Sequence, residues 1–180
     1  LWTIDLSDPT DPQVIGELEI PGVSTYIHPL ANDRLLTIGF SGDGWGLDWR
    51  TQISLFDVSN MSDPTLASAL PVSPLSQGWN GSGWTWTFSE ATWEHKAFQW
   101  WARDQVLAIP LTTYKVTCSW AYYHSSDCEF EYASKLVLVE LDENDTLSIR
   151  GEVDHSDYYN GNDDYRWWWG ATEIRRSIFM

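Results

Sequence analysis

The sequence has few basic residues and no long apolar run. Lys and Arg number only 10 among 180 residues, against 26 Asp and Glu, so the formal net charge is −16. A surface of this sign repels nucleic acid and anionic membranes. No run of about 18 apolar residues occurs, and no signal peptide is visible. We therefore expect no nucleic-acid partner and no insertion into a membrane.

The short motifs that mark common reactions are also missing. The sequence contains no Gly-x-Ser-x-Gly elbow, no phosphate-binding loop and no His-Glu-x-x-His motif. Glu90 and Glu94 lie near His95, but a carboxylate pair for glycoside hydrolysis is defined by its separation in space. The sequence therefore favours a non-enzymatic protein.

What the sequence does contain is an internal repeat. An apolar strand that ends in an acidic residue, followed by a turn, occurs at 1–7, again at 52–59 and, more weakly, at 136–141. The acidic residues are Asp5, Asp57 and Glu140. Repeats of tens of residues indicate a repeat architecture. We expect Asp5 and Asp57 to accept hydrogen bonds from turn amides.

One repeat unit predicts four short strands separated by turns of Asn, Asp, Gly and Pro. In the best-preserved unit the strands run at about 23–30, 33–40, 52–58 and 65–72. Four strands per unit at this spacing is the pattern of a propeller blade. The predicted fold is therefore all-β, a β-propeller fragment built from four-stranded antiparallel blades. A standalone sandwich of 180 residues is the alternative.

The repeat divides the chain into five segments, and a blade buries both faces of its sheet only with neighbours. We therefore expect a piece of a longer protein whose remaining blades are its partners. The segments are the outer two strands of a preceding blade (1–20), one full blade (21–73), a Trp/Gly/Ser-rich insert (74–90), a second blade with a long Cys-containing loop (91–155), and an aromatic and acidic loop with the first strand of a following blade (156–180).

The same strings carry a resemblance to a known family. The segments 5–9, 16–22 and 26–30, followed by 54–59, 95–98 and 174–179, resemble the secreted bacterial and archaeal β-propeller domain distantly related to WD40 repeats. The resemblance covers most of the chain. The sequence departs from the family pattern in 77–93, at Cys118–Cys128 and in 156–170. It implies a propeller that is secreted or held at the cell surface. It implies no established activity.

Cys118 and Cys128 are the two cysteines of the sequence. A local disulfide between them would pin the segment that they enclose, and an exported protein meets an oxidising compartment. Together with His124 they would supply three metal ligands, but the spacing matches no standard zinc pattern. We predict the disulfide.

Tryptophan is abundant, with 13 residues, and several lie in segments rich in Gly, Ser or polar residues. Trp79, Trp84 and Trp86 belong to the predicted insert, and Trp167–Trp169 follow an acidic run. Such side chains either pack back on the protein or form an exposed platform for a sugar ring or an aromatic partner. The first three are candidate ligand-binding residues.

Acidic loops suggest a weak candidate for calcium, which prefers oxygen ligands. The residues are Asp142 and Asp145 in one loop and Asp157 and Asp163 in another. Neither loop fits the twelve-residue EF-hand pattern, and solvated turns are the alternative. We expect no other metal or cofactor.

His28 and His95 occupy equivalent places early in the innermost strand of each unit, and Arg175 is the approximate counterpart in the third. Such positions face the central channel of a propeller, where imidazole and guanidinium groups can bind an anion. Ordinary packing is the alternative role. We expect a non-enzymatic extracellular binding or scaffold module for a protein or glycan. The alternatives are a carbohydrate-binding module that uses the Trp-rich loops, or a propeller hydrolase with its site at the channel mouth.

Overall fold

A computed structural model of the chain describes residues 1–42, 49–73, 83–121, 125–156 and 173–180. Within these ranges the structure is antiparallel β-sheet with two short 3-10 helices, Glu90–Thr92 and His95–Ala97. The strands are β1 Trp2–Asp5, β2 Gln13–Glu17, β3 Val23–Pro29, β4 Arg34–Ser41, β5 Arg50–Asp57, β6 Thr65–Pro71, β7 Gly83–Phe88, β8 Gln99–Trp101, β9 Val106–Ala121, β10 Ser125–Leu141 and β11 Leu147–Asp154.

The first complete sheet is a four-stranded meander in the order β3-β4-β5-β6. Its strands begin and end within two residues of the predicted positions. The hairpin between β3 and β4 turns at Asn32 and Asp33, whose φ angles are 58° and 56°. Asn and Asp tolerate this left-handed conformation better than most residues. The predicted four-stranded blade is confirmed.

The second sheet is built around the long hairpin of β9 and β10, with β11 beside β10. Strands β8 and β7 share one edge of β9: β8 pairs with Val106–Ala108, and β7 pairs with Thr112–Thr117. The four strands β8-β9-β10-β11 therefore form a second blade. The part of the hairpin formed by Thr112–Ala121 and Ser125–Ser134, which we call its upper half, continues beyond this blade. Strand β7 pairs with β9 in this part.

Three segments differ from their expected form. Part of the predicted insert, 83–88, is strand β7, and Cys118 and Cys128 lie in paired strands rather than in a loop. The reason is the alternation of β-branched and aromatic residues in β7, β9 and β10, which suits a pleated sheet. Residues 173–180, expected to begin a following blade, form no assigned strand.

An apolar layer joins the two blades. In each blade alternate residues of the central strands point into it, as the twofold period of a strand requires. Leu36 lies opposite Leu55 in the first blade, and Leu107 lies opposite Val139 in the second. The buried residues of this layer are Leu36, Ile38, Ile53, Leu55, Val72, Ala91, Ala97, Phe98, Leu107, Ile109, Leu111, Val137, Val139, Leu141 and Leu147.

Arg34 links the two blades at the rim of this layer. Its guanidinium group lies 2.8 Å from the carboxylate of Asp57 in its own blade and 2.8 Å from that of Asp145 in the second blade. Nε of Arg34 also donates to Asp145 at 2.9 Å. The planar donor fork of arginine suits two carboxylates at once.

The predicted hydrogen bonds of the strand-end aspartates are confirmed. Asp5 accepts a hydrogen bond from the backbone N–H of Ser7 at 2.8 Å, and Asp57 accepts one from Ser59 at 2.9 Å. The hydroxyl and amide of Ser59 lower the pKa of the Asp57 carboxyl below its usual value, and Arg34 adds to the effect. The repeat therefore preserves a turn in which the carboxylate fixes the reversal of the chain.

The two end segments contact the outer sides of the blades. Strands β1 and β2 pair with each other, and the hydroxyl of Thr3 donates to the carbonyl of Met61. At the other end, the N–H of Ile174 donates to the hydroxyl of Ser134 at 3.0 Å, and the Phe179 and Trp101 rings lie 5.5 Å apart. Residues 173–180 thus lie against the outer face of the second blade.

The predicted disulfide is confirmed. Cys118 and Cys128 face each other directly in the register of β9 and β10, ten residues apart in the sequence. The bond therefore ties the two strands beyond the blade.

Replacing a side chain in the apolar layer is expected to reduce stability strongly. Leu55→Ala should lower the free energy of unfolding by about 2–5 kcal/mol, because it removes buried methyl groups and leaves a cavity. Leu66→Ala on the neighbouring strand is the control, and it should cost much less because Leu66 is 38% exposed. Urea denaturation of both variants is the measurement. Equal losses would show that the blades do not meet through this layer.

Removing the disulfide is expected to destabilise the hairpin. The double variant Cys118→Ala/Cys128→Ala should lose about 2–3 kcal/mol, because the cross-link restricts the unfolded chain. A reducing agent should produce a similar shift in the wild-type protein and none in the variant. Peptide mapping without reductant checks the bond itself, and two thiols open to alkylation would contradict it.

Candidate functional site

Four rings from the two blades meet at the free edge of strand β3. Tyr26 and His28 belong to β3, His95 to a 3-10 helix, and Phe98 lies just before β8. The ring of Tyr26 lies 5.0 Å from Phe98 and 6.5 Å from His95, and the ring of His28 lies 5.5 Å from Phe98. We call these four residues the edge cluster.

The edge cluster is an extension of the apolar layer. Tyr26 lies opposite Ile38 and His28 lies opposite Leu36, so both side chains leave β3 on the face that meets the second blade. Phe98 is almost fully buried there. Because β3 is an edge strand, the outer parts of Tyr26 and His28 stay half exposed while their inner parts pack on the core.

The two histidines differ in their surroundings. His28 is half buried, and burial lowers the pKa of its imidazole below the usual value. Its Nδ1 lies 3.4 Å from the hydroxyl of Tyr26. The side chain of His95 is 66% exposed and lies 3.7 Å from the carboxylate of Glu94. The cluster therefore combines one partly desolvated imidazole with one that water reaches freely.

Charged groups of Glu94 and of residues 173–180 lie beside the edge cluster. Glu94 accepts a hydrogen bond from the N–H of Lys96 at 3.1 Å, and this bond is the main cause of its lowered pKa. Arg176 lies 3.5 Å from the same carboxylate. Arg175, which the sequence suggested for this place, lies 3.8 Å from Glu173 instead. A chain of contacts thus runs from Arg176 through Glu94 to His95.

The Trp candidates lie elsewhere. Trp84 and Trp86 are on strand β7, which pairs with the upper half of β9. Trp86 is 46% exposed, and Trp84 is half buried. Trp79 lies outside the described residues.

The calcium candidates that can be described are engaged with protein groups. Asp142 accepts hydrogen bonds from the N–H groups of Asn144 and Thr146, and Asp145 binds Arg34. Asp157 and Asp163 lie outside the described residues. In the described ranges no group of three or more His, Cys, Asp or Glu side chains is placed to hold a metal ion.

The sequence did not single out Tyr26 or Phe98 as members of the cluster, and it suggested Arg175 where Arg176 lies. Tyr26 stands two residues before His28 on one strand, and this spacing puts both on the same face. Phe98 follows His95 by three residues across a 3-10 helix, a geometry that the repeat did not reveal. The sequence predicted His28 and His95 at equivalent places in the innermost strands, but only His28 lies in a strand, and His95 lies in the 3-10 helix before β8.

The two blades, their shared apolar layer and the repeated strand-end turns define a β-propeller architecture. Comparison with known sequences agrees, because the model of the "Beta propeller domain" family matches residues 1–180. The chain belongs to this family.

Relatives in two archaea are much longer than this chain. An uncharacterized protein of Methanocaldococcus jannaschii is 31% identical over 150 residues, which is 83% of this chain and 20% of that protein. An uncharacterized protein of Archaeoglobus fulgidus is 35% identical over 63 residues, which is 35% of this chain and 9% of that protein. The chain thus spans a fifth or less of each relative. No solved structure matches it.

No helix among the described residues is both long enough and apolar enough to cross a bilayer.

The buried imidazole predicts a pH dependence of stability. Because burial lowers the pKa of His28, the folded state binds a proton less readily than the unfolded state, and stability falls as the pH drops through the usual histidine range. His28→Gln should flatten this part of the curve, measured as the melting temperature between about pH 7.5 and about pH 5. Tyr26→Phe removes only a hydroxyl and should keep the slope. Parallel curves for wild type and His28→Gln would contradict the prediction.

Proposed function

We propose that the chain is a non-enzymatic binding or scaffold module, and that the edge cluster contacts its ligand. The observation that carries the proposal is the meeting of three segments that are distant in sequence. Strand β3, the helix His95–Ala97 and the segment 173–180 bring Tyr26, His28, His95 and Arg176 to one edge.

The chemistry of the cluster suits an anionic or hydroxylated group. Two imidazoles and a tyrosine hydroxyl offer hydrogen bonds, and Arg176 adds a permanent positive charge in a chain of net charge −16. Aromatic walls exclude water from one side of these groups. Such a combination of apolar walls and few polar groups is typical of ligand sites.

The state of the Glu94 carboxylate does not suit the role of a general acid. Glu94 already accepts the N–H of Lys96 and lies beside Arg176, and both interactions favour its charged form. A general acid needs the opposite, a raised pKa. Glu94 therefore fits a role in holding Arg176 and His95 in place.

An extracellular location is part of the proposal. The disulfide between Cys118 and Cys128 supports it, because such bonds persist mainly in oxidising compartments. The excess of acidic residues also suits a soluble exported surface. The remaining blades of a longer protein would be the permanent partners of this chain, in keeping with the length of its relatives.

Calorimetric titration with citrate, a small hydroxylated anion, tests the edge cluster. Citrate should bind more tightly at about pH 5.5 than at about pH 7.5, because His28 carries more positive charge at the lower pH. His28→Ala, His95→Ala and Arg176→Ala should each weaken binding several-fold. Arg150→Ala removes an exposed arginine from the far edge strand and should leave binding unchanged.

Two results would argue against the edge cluster. Binding that is equal in all four variants would place the anion elsewhere. Absence of binding by the wild-type protein at both pH values would remove the support for an anionic ligand at this edge.

A further inference from the structure

The upper half of the long hairpin carries an unusual concentration of aromatic side chains on one face. In the register of β7, β9 and β10, Trp86, Tyr114 and Tyr132 form one row across the three strands. Trp84, Val116 and Phe130 form the next row. Alternate residues of a strand share a face, so both rows lie on the same side. We call Trp84, Trp86, Phe88, Tyr114, Phe130 and Tyr132 the aromatic face.

The rings of the aromatic face are packed against one another. Tyr114 lies 4.9 Å from Tyr132 and 6.1 Å from Phe88, measured between ring centroids. Phe88 also lies 5.5 Å from the exposed ring of Trp93. These distances are typical of favourable aromatic pairs, so neighbouring rings fix each other's orientation.

Part of the aromatic face is open to solvent. Trp86 is 46% exposed and Phe130 is 54% exposed. Contiguous exposed apolar surface is uncommon on soluble proteins unless it binds something. The two most exposed rings stand on the outer strands β7 and β10, on either side of Tyr114 and Val116, and so define a shallow surface about three strands wide.

Strand β7 and the upper half of the hairpin form a three-stranded extension, and its two sides differ in the number of charged side chains. Among the described residues the aromatic face carries no ionisable side chain other than its tyrosines. Lys115, Glu129 and Glu131 all point to the opposite side, where Lys115 lies 2.9 Å from Glu131. Glu173 borders the aromatic face, and its carboxylate accepts a hydrogen bond from the hydroxyl of Tyr114 at 2.9 Å.

The extension is held in shape before any ligand arrives. The disulfide joins β9 to β10 in the row beyond Val116 and Phe130. On the opposite side the hydroxyls of Thr87 and Thr113 lie 3.1 Å apart and connect β7 to β9. A surface that is already ordered loses less conformational entropy on binding.

We propose that the aromatic face binds an uncharged polysaccharide. Sugar rings have apolar C–H faces that stack on aromatic rings such as those of Trp86 and Phe130. The lack of formal charge on this face, in a chain of net charge −16, favours a neutral chain of sugars over an acidic one. This site is separate from the edge cluster and does not depend on it.

Affinity electrophoresis in native gels tests this proposal with defined probes. The gels contain hydroxyethylcellulose, mixed-linkage β-glucan, galactomannan or amylopectin as neutral polysaccharides, and alginate as the anionic comparison. The wild-type protein should be retarded by at least one neutral polysaccharide and not by alginate. Trp86→Ala and Phe130→Ala should each weaken binding about tenfold or more, as the loss of an aromatic anchor does at other interfaces.

Trp2→Ala is the matched control, because it removes a tryptophan that is 66% exposed on another sheet. It should bind like wild type. Circular dichroism and the melting temperature show whether each variant is folded, and the exposed Phe130 gives a second test if Trp86→Ala fails to fold. His95→Ala should keep polysaccharide binding, so that failure of this site and of the edge cluster are told apart.

Three outcomes would overturn the proposal. The first is the absence of retardation by every neutral polysaccharide, and the second is binding that Trp86→Ala and Phe130→Ala leave intact. The third is a wild-type protein that binds no polysaccharide but forms a dimer in sedimentation analysis, which Trp86→Ala returns to monomer. That result would assign the aromatic face to a second copy of the chain.

Discussion

The apolar layer between the two blades is the contact on which the rest of the structure depends. It fixes how the two sheets face each other, and the Arg34 ion pairs and the edge cluster lie at its rim. Arg34 reaches Asp145 only because the layer brings the two hairpin turns together. The edge cluster forms for the same reason, since Tyr26 packs on Phe98, which belongs to that layer. The polar groups of the edge cluster are thus positioned by the apolar contacts between the two blades.

Local features of the fold could be predicted from the sequence because they depend on neighbouring residues. Strands β3 to β6 follow the twofold alternation of apolar residues, and turns such as that at Asp57 follow the chemistry of one carboxylate and the next amides. The match of His28 with His95 in the repeat did not extend to their positions in the blades, because His28 lies on strand β3 and His95 lies in a 3-10 helix before β8.

Pairing between distant segments could not be predicted in this way. Strand β7 pairs with Thr112–Thr117, about 30 residues later, and its own composition does not name that partner. The disulfide was expected from spacing, but the paired strands around it were not. Arg175 was expected at the cluster, but Arg176 lies there. Residues 173–180 form no assigned strand, so strand pairing does not determine which of the two adjacent side chains faces the cluster.

The two candidate sites differ in how they are built. The edge cluster mixes titratable groups from three segments, so its properties change with pH and with any shift between the blades. The aromatic face belongs to a single sheet that is cross-linked within itself, and its rings have no such dependence. One chain therefore offers a surface sensitive to its surroundings and another that is not.

The disulfide limits the effect of proteolytic cleavage between Cys118 and Cys128. The bond encloses residues 119–127, so a single backbone cut anywhere in that stretch leaves both pieces covalently joined. The pairing of β9 with β10 then holds the nicked ends in register, because neither strand can diffuse away. A chain cross-linked in this way can be cut between the two cysteines and still keep the aromatic face.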